Sequence, residues 1–231
     1  MQNVFEYLSN NTYPGRGIIS GLLPDGETAV FAYFIMGRSV NSRNRIFAKT
    51  ESGISTKAFD ESKLTDPSLV IYHPVRLFKD KYIITNGDQT DTVFDYLSKG
   101  KTFADALRTR EFEPDEPNYT PRISCCAEFG GGYGYTLSIL KHGQNGGCDR
   151  YFYEYTPACG VGHIIHTYAA DGDPLPTYGG EPVAIEIGGN QDDFTEKLWQ
   201  SLNADNKAAL WTCYYSVKSG EKNERIINKL I

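Results

Sequence analysis

The sequence lacks the features that mark a membrane-spanning, disulfide-stapled or nucleic-acid-coating protein. It has no run of about 18 apolar residues, so no helix is expected to cross a bilayer. Met1-Gln2-Asn3-Val4-Phe5-Glu6 has no basic stretch leading into an apolar one, and a cytoplasmic protein without a leader is expected. Cysteine is sparse: Cys125, Cys126, Cys148, Cys159 and Cys213 form an odd set with no C-x-x-C spacing. Neither a disulfide framework nor a zinc site is suggested, and reduced, mostly buried thiols are expected. The formal charge of −6 leaves no basic excess to displace counterions, which argues against a nucleic-acid polymer or an anionic membrane as partner. Trp and Met occur only twice each, whereas there are 16 Tyr, 12 Phe, 23 Gly and 11 Pro. Aromatic residues suit a pleated, half-buried surface and Gly and Pro interrupt helices, so strands joined by tight turns are expected.

With 231 residues, 40% of them hydrophobic and 23% charged, the chain has the balance of a folded protein, and one domain over 1–231 is expected. Residues 17–23 and 28–35 read as an antiparallel hairpin about the turn Pro24-Asp25-Gly26. Further strand signals fall at 45–50, 54–59, 68–75, 81–85, 121–128, 133–140, 149–157, 162–169 and 182–187, with a closing hairpin over 208–218 and 224–229. A short helical turn fits 4–8. Apolar residues at helical spacing predict a helix pair over 91–98 and 102–110, the second capped by Thr102 and Asp105. Another helix is predicted over 192–202, with Asn190 as its N-cap. The alternation suggests α+β, with helices packed on sheet faces.

Residues 1–48 hold four Arg (Arg16, Arg38, Arg43, Arg45) and no Lys, although the whole chain has more Lys than Arg. The planar guanidinium fork suits phosphate or carboxylate, so the bias points to anion recognition, with plain surface charge as the alternative. Gly130-Gly131-Gly132-Tyr133-Gly134 lacks the Lys-Ser/Thr ending of a phosphate loop and reads as a turn. His163 and His166, three apart in a strand, face opposite ways and make a poor metal pair. Three segments combine turn formers with titratable or multi-donor side chains at strand ends: Tyr72 in 71–76, Asn86-Gly87 in 85–91, and Glu113 to Ile123.

Taken in order, these segments resemble the archaeal-type inosine monophosphate (IMP) cyclohydrolases. The matches are Tyr13-Pro14-Gly15-Arg16-Gly17, Gly37-Arg38-Ser39 with Arg43, Tyr72, Asn86-Gly87 with Thr90-Asp91, Pro114-Asp115-Glu116, Thr120-Pro121-Arg122-Ile123, Gly162-His163 with Thr167-Tyr168, 171–176, Gly180-Glu181-Pro182, and 226–229. The resemblance implies a four-layer αββα sandwich like that of the N-terminal-nucleophile hydrolases, with two mainly antiparallel sheets. It also implies closure of the purine ring of 5-formamidoimidazole-4-carboxamide ribonucleotide (FAICAR) to give IMP, the last step of IMP synthesis. No metal, cofactor or covalent intermediate is implied. The partner is a single purine nucleotide, and self-association is suggested. Arg43 is the candidate for the developing oxyanion, with Arg38 supporting it or holding the nucleotide. Tyr72 and Glu116 are the proton-transfer pair, their individual roles open. Asn86, Gly87, Arg122, Arg16 and His163 are candidate substrate contacts.

Two departures stand out. Val40-Asn41-Ser42 replaces the family's Phe-Pro-Asn segment, and about a dozen residues precede the Tyr13 to Arg16 match. Met1-Gln2 offers no Ser, Thr or Cys, so an N-terminal nucleophile is not expected. Two other readings stay open: an amide-bond hydrolase on the same fold using Cys125, Cys126 or Cys159, and a non-catalytic purine-nucleotide-binding protein.

Overall fold

The computed structural model describes residues 1–63 and 70–231. In chain order the elements are α1 (Val4–Ser9), β1 (Arg16–Leu22), β2 (Thr28–Met36), α2 (Val40–Arg43), β3 (Arg45–Thr50), β4 (Gly53–Ala58), a 3-10 turn (Glu61–Lys63), β5 (Val75–Phe78), β6 (Lys81–Thr85), α3 (Gln89–Ser98), α4 (Phe103–Leu107), β7 (Arg122–Glu128), β8 (Gly134–His142), β9 (Cys148–Tyr155), β10 (Val161–His166), β11 (Val183–Glu186), α5 (Gln191–Ser201), β12 (Lys207–Ser216) and β13 (Lys222–Asn228). The strand expected over 68–75 lies partly outside the described residues; the described strand there starts at Val75. The short helix α2 and the 3-10 turn fall where no element was expected.

The strands form two antiparallel sheets, ordered β11-β10-β1-β2-β12-β13 and β3-β4-β5-β6-β7-β8-β9. The β2 strand shows why they stack. All of it but Thr28 is buried, and its period of two sends Ala29, Phe31, Tyr33 and Ile35 one way and Val30, Ala32, Phe34 and Met36 the other. The first set packs between the sheets against Phe47, Ile54, Val75, Tyr82, Ile84, Ile123, Cys125 and Leu137 of the seven-stranded sheet. The second packs under α1 and α5, against Val4, Leu8, Phe194 and Leu198. Helices α3 and α4 cover the far face of the other sheet, with Val93, Phe103, Ala106 and Leu107 on Ile83, Cys126 and Leu140. The layers therefore run helix, sheet, sheet, helix, as an α+β fold. Each fully buried Ile, Val or Phe contributes about 1.5–3 kcal/mol of transfer free energy, so the three clusters supply the main drive to stack the layers.

Caps and turns follow local chemistry. Thr102 and Asp105 form a reciprocal capping box on α4, and the Asn190 side chain accepts from the Asp193 N–H at the start of α5. The Asp25 carboxylate accepts from the N–H groups of Glu27 and Thr28, closing the β1–β2 hairpin. His163 and His166 do face opposite ways: His163 bonds Tyr135 of the other sheet, and His166 bonds Tyr7 of α1.

Candidate active site

At one end of the sheet stack the starts of β1 and β3 meet the segments ahead of β5 and β7 and the segment after β10. Arg16 shares the core-facing phase of β1 with Ile18, and Arg45 shares that of β3 with Phe47, so both guanidinium groups enter the space between the sheets. Arg45 is 1% exposed. It donates to the carbonyls of Ser42 (2.8 Å) and Met36 (3.3 Å), tying α2 to the end of β2. The Arg16 Nε is buried with no hydrogen-bond partner. A buried, unsatisfied guanidinium donor is costly unless a ligand supplies an acceptor, and this is the strongest local sign of a binding site.

Around these cations lie Glu113, Tyr13, Tyr33, Tyr72 and Tyr168. Burial works against the charge on Arg16, but the Glu113 carboxylate beside it favours that charge and leaves the guanidinium pKa raised. For Arg45, burial and then repulsion from Arg16 lower the pKa. Glu113 is 3% exposed, and burial raises its pKa against the pull of Arg16 and Arg122. A carboxyl pushed upward in this way can both take and return a proton. Tyr72 is buried, its hydroxyl 2.8 Å from that of Tyr33.

The segment carrying Glu113 is fixed from several sides. Asp115 accepts from the Thr120 N–H (2.6 Å) and from its hydroxyl, and the Thr120 hydroxyl also bonds Tyr168. Tyr119 holds a left-handed backbone (φ 44°), which suits Gly far better than Tyr, and its ring stacks on His142 at 4.6 Å. On the other side, Gly15 also sits at positive φ (77°), where any Cβ would collide with Thr167 and Tyr168.

The candidates named from the sequence divide into groups. Tyr72 and Arg16 belong to the buried cluster. Arg38 lies at its rim, paired to Asp171 at 2.9 Å and set over the Tyr13 ring at 5.3 Å. Arg43 is exposed on α2, its guanidinium donating to the Arg38 carbonyl. Glu116 is exposed, its carboxylate facing Tyr119 closely enough to raise the pKa of that phenol after burial does. Asn86 is buried, donating to Pro121 O and accepting from Ile123 N and Gln89 Nε2, so it clamps two loops together. Arg122 bonds Gln89 (2.7 Å) and Asp88 (2.8 Å), and Gly87 lies so close that a Cβ there would meet its guanidinium. His163 is not brought to the cluster. It pairs in register with Ser20, about 13 Å of strand from Arg16, where it bonds Tyr135 and stacks on Tyr155.

Arg45 and Glu113 were given no role of their own in the site, Arg45 standing only in the arginine bias and Glu113 only in the segment 113–123, and Tyr33 was not among the candidates. Arg45 carried a signal, because it sits two residues before Phe47 on the core-facing phase of a strand, and an arginine there must be buried. Glu113 was marked only as part of a titratable segment and Tyr33 not at all, because only the tertiary fold turns them inward. Among the described residues no three His, Cys, Asp or Glu side chains are arranged to hold a metal ion, and no helix is long and apolar enough to cross a membrane.

Residues 13–220 match the family model described as IMP cyclohydrolase-like protein. An IMP cyclohydrolase of Methanopyrus kandleri is 31% identical over 160 residues, covering 68% of this chain and 75% of the relative. IMP cyclohydrolases of Methanosphaera stadtmanae and Methanococcus maripaludis are each 29% identical over 48% of this chain, covering 55% and 56% of their own lengths. The matched span contains Arg16, Arg45, Tyr72 and Glu113, and the chain belongs to the family of IMP cyclohydrolase-like proteins.

Proposed function

We propose that this protein is an IMP cyclohydrolase, closing the purine ring of FAICAR to give IMP and water. Family membership supports the reading, and the observation that carries it is the constellation between the sheets of half-buried Arg16, its Nε buried without a partner, with buried Glu113 and Tyr72. The reaction needs these groups. An amide nitrogen is a weak nucleophile, so the carboxamide must be held against the formyl carbon while charge develops on the formyl oxygen.

As the C–N bond forms, one proton leaves the carboxamide nitrogen and the formyl oxygen becomes a hydroxyl. As that hydroxyl departs, a second proton leaves the former formamide nitrogen, and the oxygen ends as water. Arg16 and Arg43 stabilise the oxyanion, one from inside the cluster and one from the end of α2. Glu113 accepts the carboxamide proton and returns it to the oxyanion, forming the hydroxyl; Tyr72 then protonates the departing hydroxyl, while Glu113 takes the second nitrogen proton and gives it back to the Tyr72 phenolate, resetting both groups. Glu116 shares the carboxylate role only if substrate draws it inward from Tyr119. Arg38 at the rim takes the nucleotide's anionic end, while Asn86, Gly87 and Arg122 shape the adjoining loop.

Residues 1–231 act in this reading as one domain, on the support of the shared inter-sheet core. Self-association rests on kinship alone, and a cytoplasmic setting on the phosphorylated substrate. The cysteine-hydrolase alternative is weakened by burial, which raises the pKa of Cys125 and pushes Cys126 up to about 12. Parallel kinetics of Arg43→Ala, Tyr72→Phe, Glu113→Gln and Glu116→Gln test the assignment. Loss of ring closure with the fold retained is expected for the first three, and near-wild-type rates in all four overturn it.

A further inference from the structure

Tyr72 is held at two points by two different sheets. At its backbone, the N–H donates to Thr56 Oγ1 (2.8 Å), and the carbonyl accepts from the Thr56 N–H (2.8 Å) and hydroxyl (3.1 Å). At its tip, the phenol meets the Tyr33 hydroxyl at 2.8 Å. Thr56 belongs to β4 of the seven-stranded sheet and Tyr33 to β2 of the six-stranded one. Tyr33 is itself immobilised. It is 0% exposed, and its ring stacks on Phe47 at 5.6 Å. With no exposed surface of its own and its hydroxyl bonded to Tyr72, Tyr33 can act on the chemistry through the Tyr72 oxygen.

We propose that Tyr33 is a positioning residue for ring closure: it aims the Tyr72 hydroxyl into the site and hydrogen-bonds the Tyr72 oxygen once that phenol has given up its proton. The inference rests on the cyclohydrolase reading. A phenol offers one donor and two acceptor sites, so a bond to Tyr33 leaves the Tyr72 oxygen with capacity for substrate. Burial raises the Tyr33 pKa well above that of a free tyrosine, so Tyr33 keeps its proton and serves as a fixed donor. Arg16 and Arg45, both within electrostatic reach of the two phenols, favour negative charge on the pair during the step. Thr56 completes the clamp by fixing the backbone from which the Tyr72 ring projects.

The test is steady-state turnover of FAICAR by the full chain as wild type, Tyr33→Phe, Tyr72→Phe and the double variant, each assayed below its own thermal unfolding transition. Tyr33→Phe is expected to lower kcat about tenfold while KM stays within about twofold, as for a group that acts on the transition state alone. The double variant is expected to match Tyr72→Phe, because with the Tyr72 oxygen gone Tyr33 has nothing to orient. Thr56→Ala loosens the same phenol without touching either hydroxyl; it should lower kcat in the same sense, with Thr56→Ser restoring it. The proposal is overturned if Tyr33→Phe keeps kcat within about twofold of wild type, whatever its effect on unfolding. Losses that multiply in the double variant overturn it too. A wild-type protein that converts no FAICAR brings down the cyclohydrolase reading and this inference with it, an outcome distinct from active wild type with an unaffected Tyr33→Phe.

Discussion

Glu113 and Glu116 lie three residues apart in one loop, yet the fold treats them oppositely. Glu113 is buried beside Arg16 and Arg122, with burial raising its pKa, whereas Glu116 is exposed. Removing the Glu113 charge should lower kcat by about 10²–10⁴-fold, the usual range for a positioned general acid or base, while Glu116→Gln should cost markedly less. Kinetics of the two Gln variants, with circular dichroism to check folding, decide between them. The family pattern made Glu116 legible, because Pro114-Asp115-Glu116 is a sequence match, but only the path of the loop reveals that Glu113 faces the cations. Arg45 teaches the same lesson: its spacing from Phe47 encoded its burial, whereas its role in anchoring α2 comes from the tertiary fold, which brings the Ser42 carbonyl to its guanidinium.

His166 gives a second prediction at the residue scale. Burial lowers its pKa to about 4 from 6.5. Well above pH 6.5 the imidazole is neutral in both folded and unfolded chains and contributes no pH dependence. As pH falls toward 4, the unfolded chain takes up a proton that the folded chain refuses, so stability drops. By about pH 5 the loss is about 2 kcal/mol. Denaturant unfolding at the two ends of this window should show a smaller decline for His166→Asn than for wild type.

Among the elements, the ones with caps and clean periodicity were readable in advance. The Thr102 and Asp105 box and the Asn190 cap appear where the sequence put them, since side chain and backbone meet within three residues. Thr102→Ala should destabilise α4 by about 1 kcal/mol, measurable by thermal unfolding, with catalysis unchanged. Helix α2 was not readable. Its box uses Ser39 and Ser42 in place of an acidic partner, and the helix is only four residues long. Gly15 governs a different element, the entry of β1 into the site. Gly15→Ala should cost about 1–3 kcal/mol and displace Arg16, so weaker binding of IMP should accompany the lower melting temperature.

At the scale of the molecule, composition announced strands and turns, and the order of family segments announced the layered sandwich. Periodicity alone could not choose the layers, because β2 is apolar on both faces and reads equally as a strand in any doubly covered sheet. The acidic net charge excludes nothing about a single nucleotide, since the site concentrates Arg16, Arg38, Arg43 and Arg45 at one end of a chain of −6. The thiols are poor nucleophiles where they are buried: Cys126 and Cys213 are both pushed up to about 12 by burial, while Cys159 is exposed. Alkylation under native conditions should modify Cys159 and leave ring closure within about twofold of the untreated rate, checked by mass spectrometry beside the assay.

The most direct measurement of the central claim is a spectrophotometric assay of purified protein with FAICAR. The expected result is conversion to IMP, abolished by Tyr72→Phe and Glu113→Gln. A protein that binds and is stabilised by IMP but never converts FAICAR would contradict the account and make it a nucleotide-binding protein of the same fold.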